Sequence, residues 1–305
     1  MIYDVEELNR CFKDDPAQYV TKAEKKYKQQ IKKCIEPLIK KDAMYKFILL
    51  AGPSSSGKTT TSYLIKENLE VNGINAKVVS LDNFFVEREE TPLLPDGKKD
   101  YESLNALDWK LFAQKMKELI EEKKSRLPIY DFITGSKHLS EDYTTLKNNE
   151  IIIIEGLHAL NPIIDNYIPT KLAYKIYLNT ESEFAYKDTI LVNKEEIKLV
   201  RRLIRDFKKR GATPSMTFNS WPEVLHGEET YITPYKKHAN YKIDTTHPYE
   251  LCIYYNILQK IQDSTDDEDV TLQKLITKLA KFKKLSHQFA PKNSLIQEFL
   301  GGNDN

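Results

Sequence analysis

The sequence predicts an α/β fold: a parallel sheet with helices on both faces, extended by an N-terminal helix and a C-terminal helical appendage. Two observations carry this. Four short apolar runs, "KFILLAG" from Lys46, "AKVVSLD" from Ala76, "EIIIIEG" from Glu150 and "AYKIYL" from Ala173, end too abruptly for helices and suit buried strands. Between them the apolar residues recur at helical spacing, and strands alternating with helices build parallel sheets. The 305 residues are enough for one large domain with additions. We divide them into a helical extension over 1–43, a core over 44–248 and the appendage over 249–305.

Each element follows from its residues. Asp15 before Pro16 starts a helix whose inward stripe is Val20, Ala23, Tyr27, Ile31, Cys34, Ile35 and Leu38. "KFILLAG" is the first strand and runs straight into the loop "PSSSGKT". A helix from about Lys58 to Val71 stops at Gly73, and "AKVVSLD" completes a βαβ unit. From Phe84 to Leu107, Pro, Gly and charged residues break all periodicity and predict a long loop of the kind that carries function. Asp108 then caps a helix with Trp109, Phe112, Met116, Leu119 and Ile120 on its apolar face. "EIIIIEG" and "AYKIYL" are further strands. Asn193 to Pro214 reads as a helix with an acidic first turn and a stop at Gly211. "YITPYKKHANYKID", from Tyr231, is a turn feeding a strand. Helical patterns follow Tyr249, interrupted by the acidic run Asp263 to Asp269, and "GGNDN" reads as a frayed end.

The balance of charge narrows the function. A net charge of +1, from 46 basic and 45 acidic side chains, gives no global field toward a nucleic acid or an anionic membrane. Anion binding must be local. Cys11, Cys34 and Cys252 show no C-x-x-C pair and read as reduced thiols, which suits a cytoplasmic location. "MIYDVEELNR" has neither the basic nor the apolar region of a leader, and no run reaches membrane-span length. Histidines and cysteines show no zinc-type spacing.

Gly52, Gly57, Lys58 and Thr59 satisfy G-x-x-x-x-G-K-[ST] between a strand and a helix. The glycines let the backbone fold so that successive N–H groups face phosphate oxygens, and the helix start adds its partial positive charge. The fold is thus of the P-loop NTPase type, with ATP or GTP as phosphate donor and Mg²⁺ as its ion. Lys58 reaches the β/γ-phosphates, the Thr59 hydroxyl is a Mg²⁺ ligand, and Ser54, Ser55, Ser56 and Thr60 complete the loop. Asp82 and Glu155, each just past a strand's carboxyl end, are the two candidate metal carboxylates. Transfer to an alcohol needs a proton acceptor, so Asp82 is assigned as base and Glu155 to the metal. The helix after Asn193 carries Arg201, Arg202, Arg205 and Arg210. Such cations suit a lid that neutralises the transferring phosphoryl group and excludes water, with Arg202 and Arg205 as its leading members.

"AGPSSSGKTTT", "SLDNFF", "DYESLNALD", "YDF", "IIIIEGLHALNP", "RRLIRD" with "RGATP", and "WPEVLHGEETYITPY" together resemble the uridine kinase and phosphoribulokinase family, in its microbial uridine-kinase-like branch, from about Phe12 to Gly302. The resemblance implies phosphorylation of a small hydroxyl compound, in uridine kinases the 5′-hydroxyl of uridine or cytidine. It implies that Asp82 is the catalytic base, that Glu102 holds the ribose hydroxyls, and that Tyr130 lines the acceptor pocket. Arg202, Arg205 and Arg210 become lid arginines, Arg210 reaching substrate. Uridine kinases also carry a pyrimidine-reading histidine shortly after "YDF". Here Gly135 stands near that place and His138 follows three residues later, so the expected reader is His138, or the base is read differently. The implied partner is a small-molecule acceptor, with neither nucleic acid nor membrane, and self-association is left open.

Overall fold

The computed structural model describes residues 1–40, 44–265 and 269–301. The middle of the predicted acidic run, 266–268, and the end of the chain after Gly301 lie outside them. Five strands, β1 (Phe47–Ala51), β2 (Asn75–Ser80), β3 (Glu150–Glu155), β4 (Ala173–Asn179) and β5 (Tyr241–Asp244), form one sheet in the order β5-β4-β1-β3-β2. Every neighbouring pair is parallel. β1 and β4 are buried along their whole length, β1 as a continuous apolar run and β4 with Lys175 paired to Asp165 among its apolar residues.

Around the sheet lie α1 (Val5–Asp14), α2 (Pro16–Ile35), α3 (Lys58–Val71), α4 (Trp109–Glu121), α5 (Lys194–Arg210), α6 (Pro214–Tyr231), α7 (Glu250–Asp263), α8 (Val270–Leu279) and the single turn α9 (Gln297–Leu300). Alternate residues of each strand face opposite sides. Ile48, Leu50, Ile153 and Ile176 join a core shared with Phe12, Tyr27 and Ile31 of the extension, Ile65 of α3, Ile204 of α5, and Leu258, Leu279 and Phe299 of the appendage. Phe47, Leu49, Ile152 and Ile154 join a second core with Phe112, Met116 and Leu119 of α4. Among the described residues, no helix is long and apolar enough to cross a membrane.

Four features depart from the sequence reading. The strand beginning "AKVV" ends at Ser80, and Leu81–Phe84 form a 3₁₀ turn capped by Ser80, so Asp82 sits on a turn beyond the strand. α6, which the periodicity hides, starts with Thr213 as cap and Pro214 as first residue, and tolerates Pro222 inside it. α1 and a hairpin, Pro128–Asp131 against Ser136–Leu139, also lie outside the elements read from sequence.

Candidate active site

β1 stands at the point where the sheet order reverses: the chain leaves it for β2 on one side, and β4 pairs with it on the other. Ligands of open α/β sheets bind at such a crevice. The loop from Gly52 to Gly57 occupies it. A Cβ on Gly52 would stand 2.5 Å from the Leu178 carbonyl oxygen, so only glycine lets the loop leave the sheet here. Gly57 has φ +86°, which turns the chain into α3, and the first intrahelical bond is Thr61 N to Gly57 O. Among the described residues no protein acceptor serves the backbone N–H groups of Gly57, Lys58 and Thr59. These orphan donors at a helix start fit phosphate oxygens. Lys58 Nζ donates to the Gly52 and Pro53 carbonyls at 2.9 and 3.0 Å, arched back over the loop.

Three carboxylates converge on that lysine. Glu155 ends β3, paired in register with Leu50 of β1 and Ser80 of β2. Burial pushes it up to about 7, with the Lys58 charge opposing and the Asp82 charge adding. Asp82 opens to solvent in the cleft, and crowding by protein raises its carboxyl against the attraction of Lys58 and Arg210. Glu102, half-buried, is raised mainly by burial, with Arg202 and Lys58 opposing. Thr59 is exposed beside them. The Thr59 hydroxyl and the two carboxylates Asp82 and Glu155 are hard oxygen donors, and the mutual discomfort of the carboxylates is what a divalent cation would relieve. The fit is to a hydrated ion shared with phosphate, because among the described residues no three His, Cys, Asp or Glu side chains form a metal cage.

α5 is set by a capping box between Asn193 and Glu196 and ends at Gly211 in the left-handed conformation. Its arginines divide into two roles. Arg201 is fully buried, with Nε and Nη2 on the Glu250 carboxylate at 2.7 and 2.9 Å and further bonds to Thr245 O and Ser55 O. It fastens the phosphate loop from below. Arg202 and Arg205 face the cleft, both donating to Ser54 Oγ, at 2.8 and 3.5 Å. Asp206, almost fully buried, gathers three of the cations. Its carboxylate lies 3.1 Å from Arg205 Nη2, 3.1 Å from Arg210 Nη1 and 3.2 Å from Arg202 Nε, the last not aligned for a hydrogen bond. Sequence reasoning missed Asp206, although an acid one residue after Arg205 and four from both Arg202 and Arg210 was its signal.

The hairpin and the segment after Asp82 share an aromatic cluster. Tyr130 packs edge-on to Phe85 and Phe132, and Phe85 to Tyr101. The Tyr130 hydroxyl is buried without a protein partner, so it is free to bond a ligand. His138 does not join it. Tyr130 pairs with Lys137 across the hairpin and His138 with Ile129, so strand alternation turns His138 to the outer, exposed face. Of the two alternatives the sequence offered, His138 as reader or a base read differently, this orientation favours the second. Gly135, at φ +77°, lies under Arg88, where a Cβ would meet Arg88 Nε at 2.5 Å. Arg88 in turn donates to the Phe132 and Ile133 carbonyls. His158, unplaced by the sequence, is buried edge-on to Tyr231 and held neutral by burial, which pushes it down to about 4.

The model of the phosphoribulokinase / uridine kinase family matches residues 47–250. A uridine kinase of Staphylococcus epidermidis is 29% identical over 192 residues, 63% of this chain and 83% of that protein. A uridine kinase of Macrococcus caseolyticus is 27% identical over the same share of this chain and 84% of its own. A solved structure described as a possible uridine kinase from Bacillus stearothermophilus superposes with a TM-score of 0.48 at 18% identity, covering 71% of this chain and 98% of that one.

Proposed function

Because the chain belongs to the phosphoribulokinase / uridine kinase family and is a P-loop kinase, a phosphotransferase with an alcohol as acceptor, we propose that it moves the γ-phosphoryl group of ATP or GTP to the 5′-hydroxyl of uridine or cytidine. The observation that carries this reading is Asp82, open in the cleft within the field of both Lys58 and Arg210. A phosphate-driven switch needs a carboxylate for its metal but no proton acceptor for an alcohol.

The chemistry follows from the residues. The N–H groups at the start of α3 and Lys58 hold the donor's phosphates. Thr59 and Glu155 would hold Mg²⁺, which supplies charge neutralisation across the phosphates when bound, while Asp82 beside them keeps a carboxylate for the proton. The acceptor oxygen attacks the γ-phosphorus, the bond to the β-phosphate bridging oxygen breaks, and the hydroxyl proton passes to Asp82. Its raised pKa brings the carboxylate closer to a match with that task. Arg202, Arg205 and Arg210, fixed on Asp206, meet the charge on the transferring group. Glu102 binds the sugar hydroxyls, and the Tyr130 hydroxyl gives the acceptor a polar anchor inside an aromatic wall.

A second reading, an acceptor other than a pyrimidine nucleoside, is favoured by the hairpin, where Arg88 covers Gly135 and His138 faces away. Phosphoryl transfer from Mg·ATP and Mg·GTP to a panel of nucleosides and sugars separates the two. Uridine and cytidine as preferred acceptors support the first, and their inertness beside another active alcohol establishes the second. Hydrolysis without any acceptor, unchanged in Asp82→Asn, overturns both.

A further inference from the structure

The phosphate loop already holds a carboxylate of its own chain. After α8 the chain folds back across the start of α3, and the segment 291–301 is firmly seated. Leu295, Ile296 and Phe299 are completely buried. Ser294 Oγ donates to Glu24 Oε1 at 2.6 Å, tying the segment to α2. Leu295 lies against Gly57, where a Cβ would stand 2.5 Å from its Cδ1. The Phe299 ring sits 5.0 Å from the Arg201 guanidinium, and Lys208 Nζ donates to Leu300 O at 2.9 Å, so the segment touches both the loop and the lid helix.

From this seat α9 projects Glu298 onto Thr60. Oε2 of Glu298 accepts from Thr60 N at 3.2 Å and from Thr60 Oγ1 at 2.7 Å. Thr60 is the third residue of α3, so its N–H belongs to the same set of orphan donors as those of Gly57, Lys58 and Thr59. The other three have no protein acceptor among the described residues, and Thr60 alone is taken. An N–H shared between Glu298 and a phosphate oxygen would give each only a weakened three-centre bond, so full bonding to one is at the expense of the other. The charges of the carboxylate and of a phosphate chain at that helix start also repel.

We propose that Glu298 occupies a phosphate subsite at the start of α3 and competes there with the phosphate chain of the donor nucleotide, so that the C-terminal segment sets the affinity of the donor site. This rests on the reading of the loop as the donor site. Only one side chain has to move: Glu298 is half-buried while Leu295, Ile296 and Phe299 stay packed. Turning it aside frees the Thr60 N–H and hydroxyl for the ligand.

The test is calorimetric titration of the full chain with ADP and, separately, with inorganic tripolyphosphate, in wild type, Glu298→Gln and Glu298→Ala. Removing a charged hydrogen-bonding competitor should tighten binding of both probes by on the order of tenfold, with alanine at least as effective as glutamine. Tripolyphosphate has no base or sugar, so a gain with it assigns the competition to phosphate. Unchanged or weaker binding in variants whose circular dichroism matches wild type overturns the proposal and makes Glu298 a strut for the loop. A gain with ADP alone also overturns it, because the carboxylate would then face base or ribose. Wild type that binds with no gain in the variants removes this inference only. If neither wild type nor variant binds either probe, the donor-site reading falls with it.

Discussion

Replacing Arg201 by methionine should cost stability far more than replacing any other arginine of α5. The magnitude follows from its surroundings. Both Arg201 and Glu250 are fully excluded from water and joined by two hydrogen bonds. Removing one partner of such a pair leaves an uncompensated buried charge, at about 3–5 kcal/mol. Thr245 O, held at 2.7 Å, also loses its donor, and one further bond is worth about 1 kcal/mol. Methionine recovers part of the packing on Phe299. The net expectation is a loss of about 4 kcal/mol, read from the urea midpoint with an unchanged slope. Because the penalty comes from the orphaned Glu250, the double variant Arg201→Met/Glu250→Gln should regain about 2 kcal/mol relative to the sum of the single changes. Arg202→Met, one residue along, should stay within about 1 kcal/mol of wild type, yet lower kcat by about a hundredfold. An Arg201→Met protein within about 1 kcal/mol of wild type, or strictly additive single variants, would refute the reasoning.

Asp82→Asn keeps the size of the side chain and removes the proton acceptor, so kcat should fall by about 10²–10⁴ while nucleotide binding, measured by calorimetry, persists. Gly135→Ala places a Cβ in a left-handed backbone and against Arg88, and should destabilise the hairpin by about 1–2 kcal/mol and raise KM for the acceptor, as steady-state kinetics will show. His158 is held neutral in the fold, with its affinity for protons pushed down from 6.5 to about 4. As pH falls through that interval the unfolded chain takes up the proton first, so stability is lost progressively, by about 3 kcal/mol in all. Glu155, raised to about 7, works in the opposite sense over much of this interval, so the check is the difference: urea midpoints of His158→Gln should gain on those of wild type as pH falls from 6.5 to 4.

Much of the site could be read in the chain because its parts are local. Gly52 to Thr60 are contiguous, and their spacing is dictated by the geometry of a turn entering a helix, which needs no tertiary partner to be recognised. Asp82 and Glu155 were found because each directly follows an apolar run, although Asp82 proved to lie on a 3₁₀ turn that Ser80 caps. Arg201 and Arg202 could not be told apart with certainty. Both belong to one basic cluster, and only the packing of α7 and the Thr245 turn against α5 makes one a buried strut and the other a cleft residue. The side on which His138 stands was not legible, because three residues of separation say nothing about face once a hairpin forms, and alternation across the strand then decides. α6 was hidden by a weak apolar stripe and by Pro222.

The sequence by itself determined the α/β class, the phosphate loop, the strands of the main sheet, and the residue types able to take a proton and neutralise a phosphate. These depend on periodicity, capping and contiguous turns, which are local. Only the tertiary structure decided how side chains far apart in the chain share one field: Arg201 on Glu250, Glu102 in the field of Arg202 and Lys58, Arg88 closing over Gly135, and Glu298 returning across more than two hundred residues to Thr60. Such meetings are set by how the two faces of the sheet are covered. That depends on the burial of apolar surface summed over the whole chain, which no short stretch of sequence encodes.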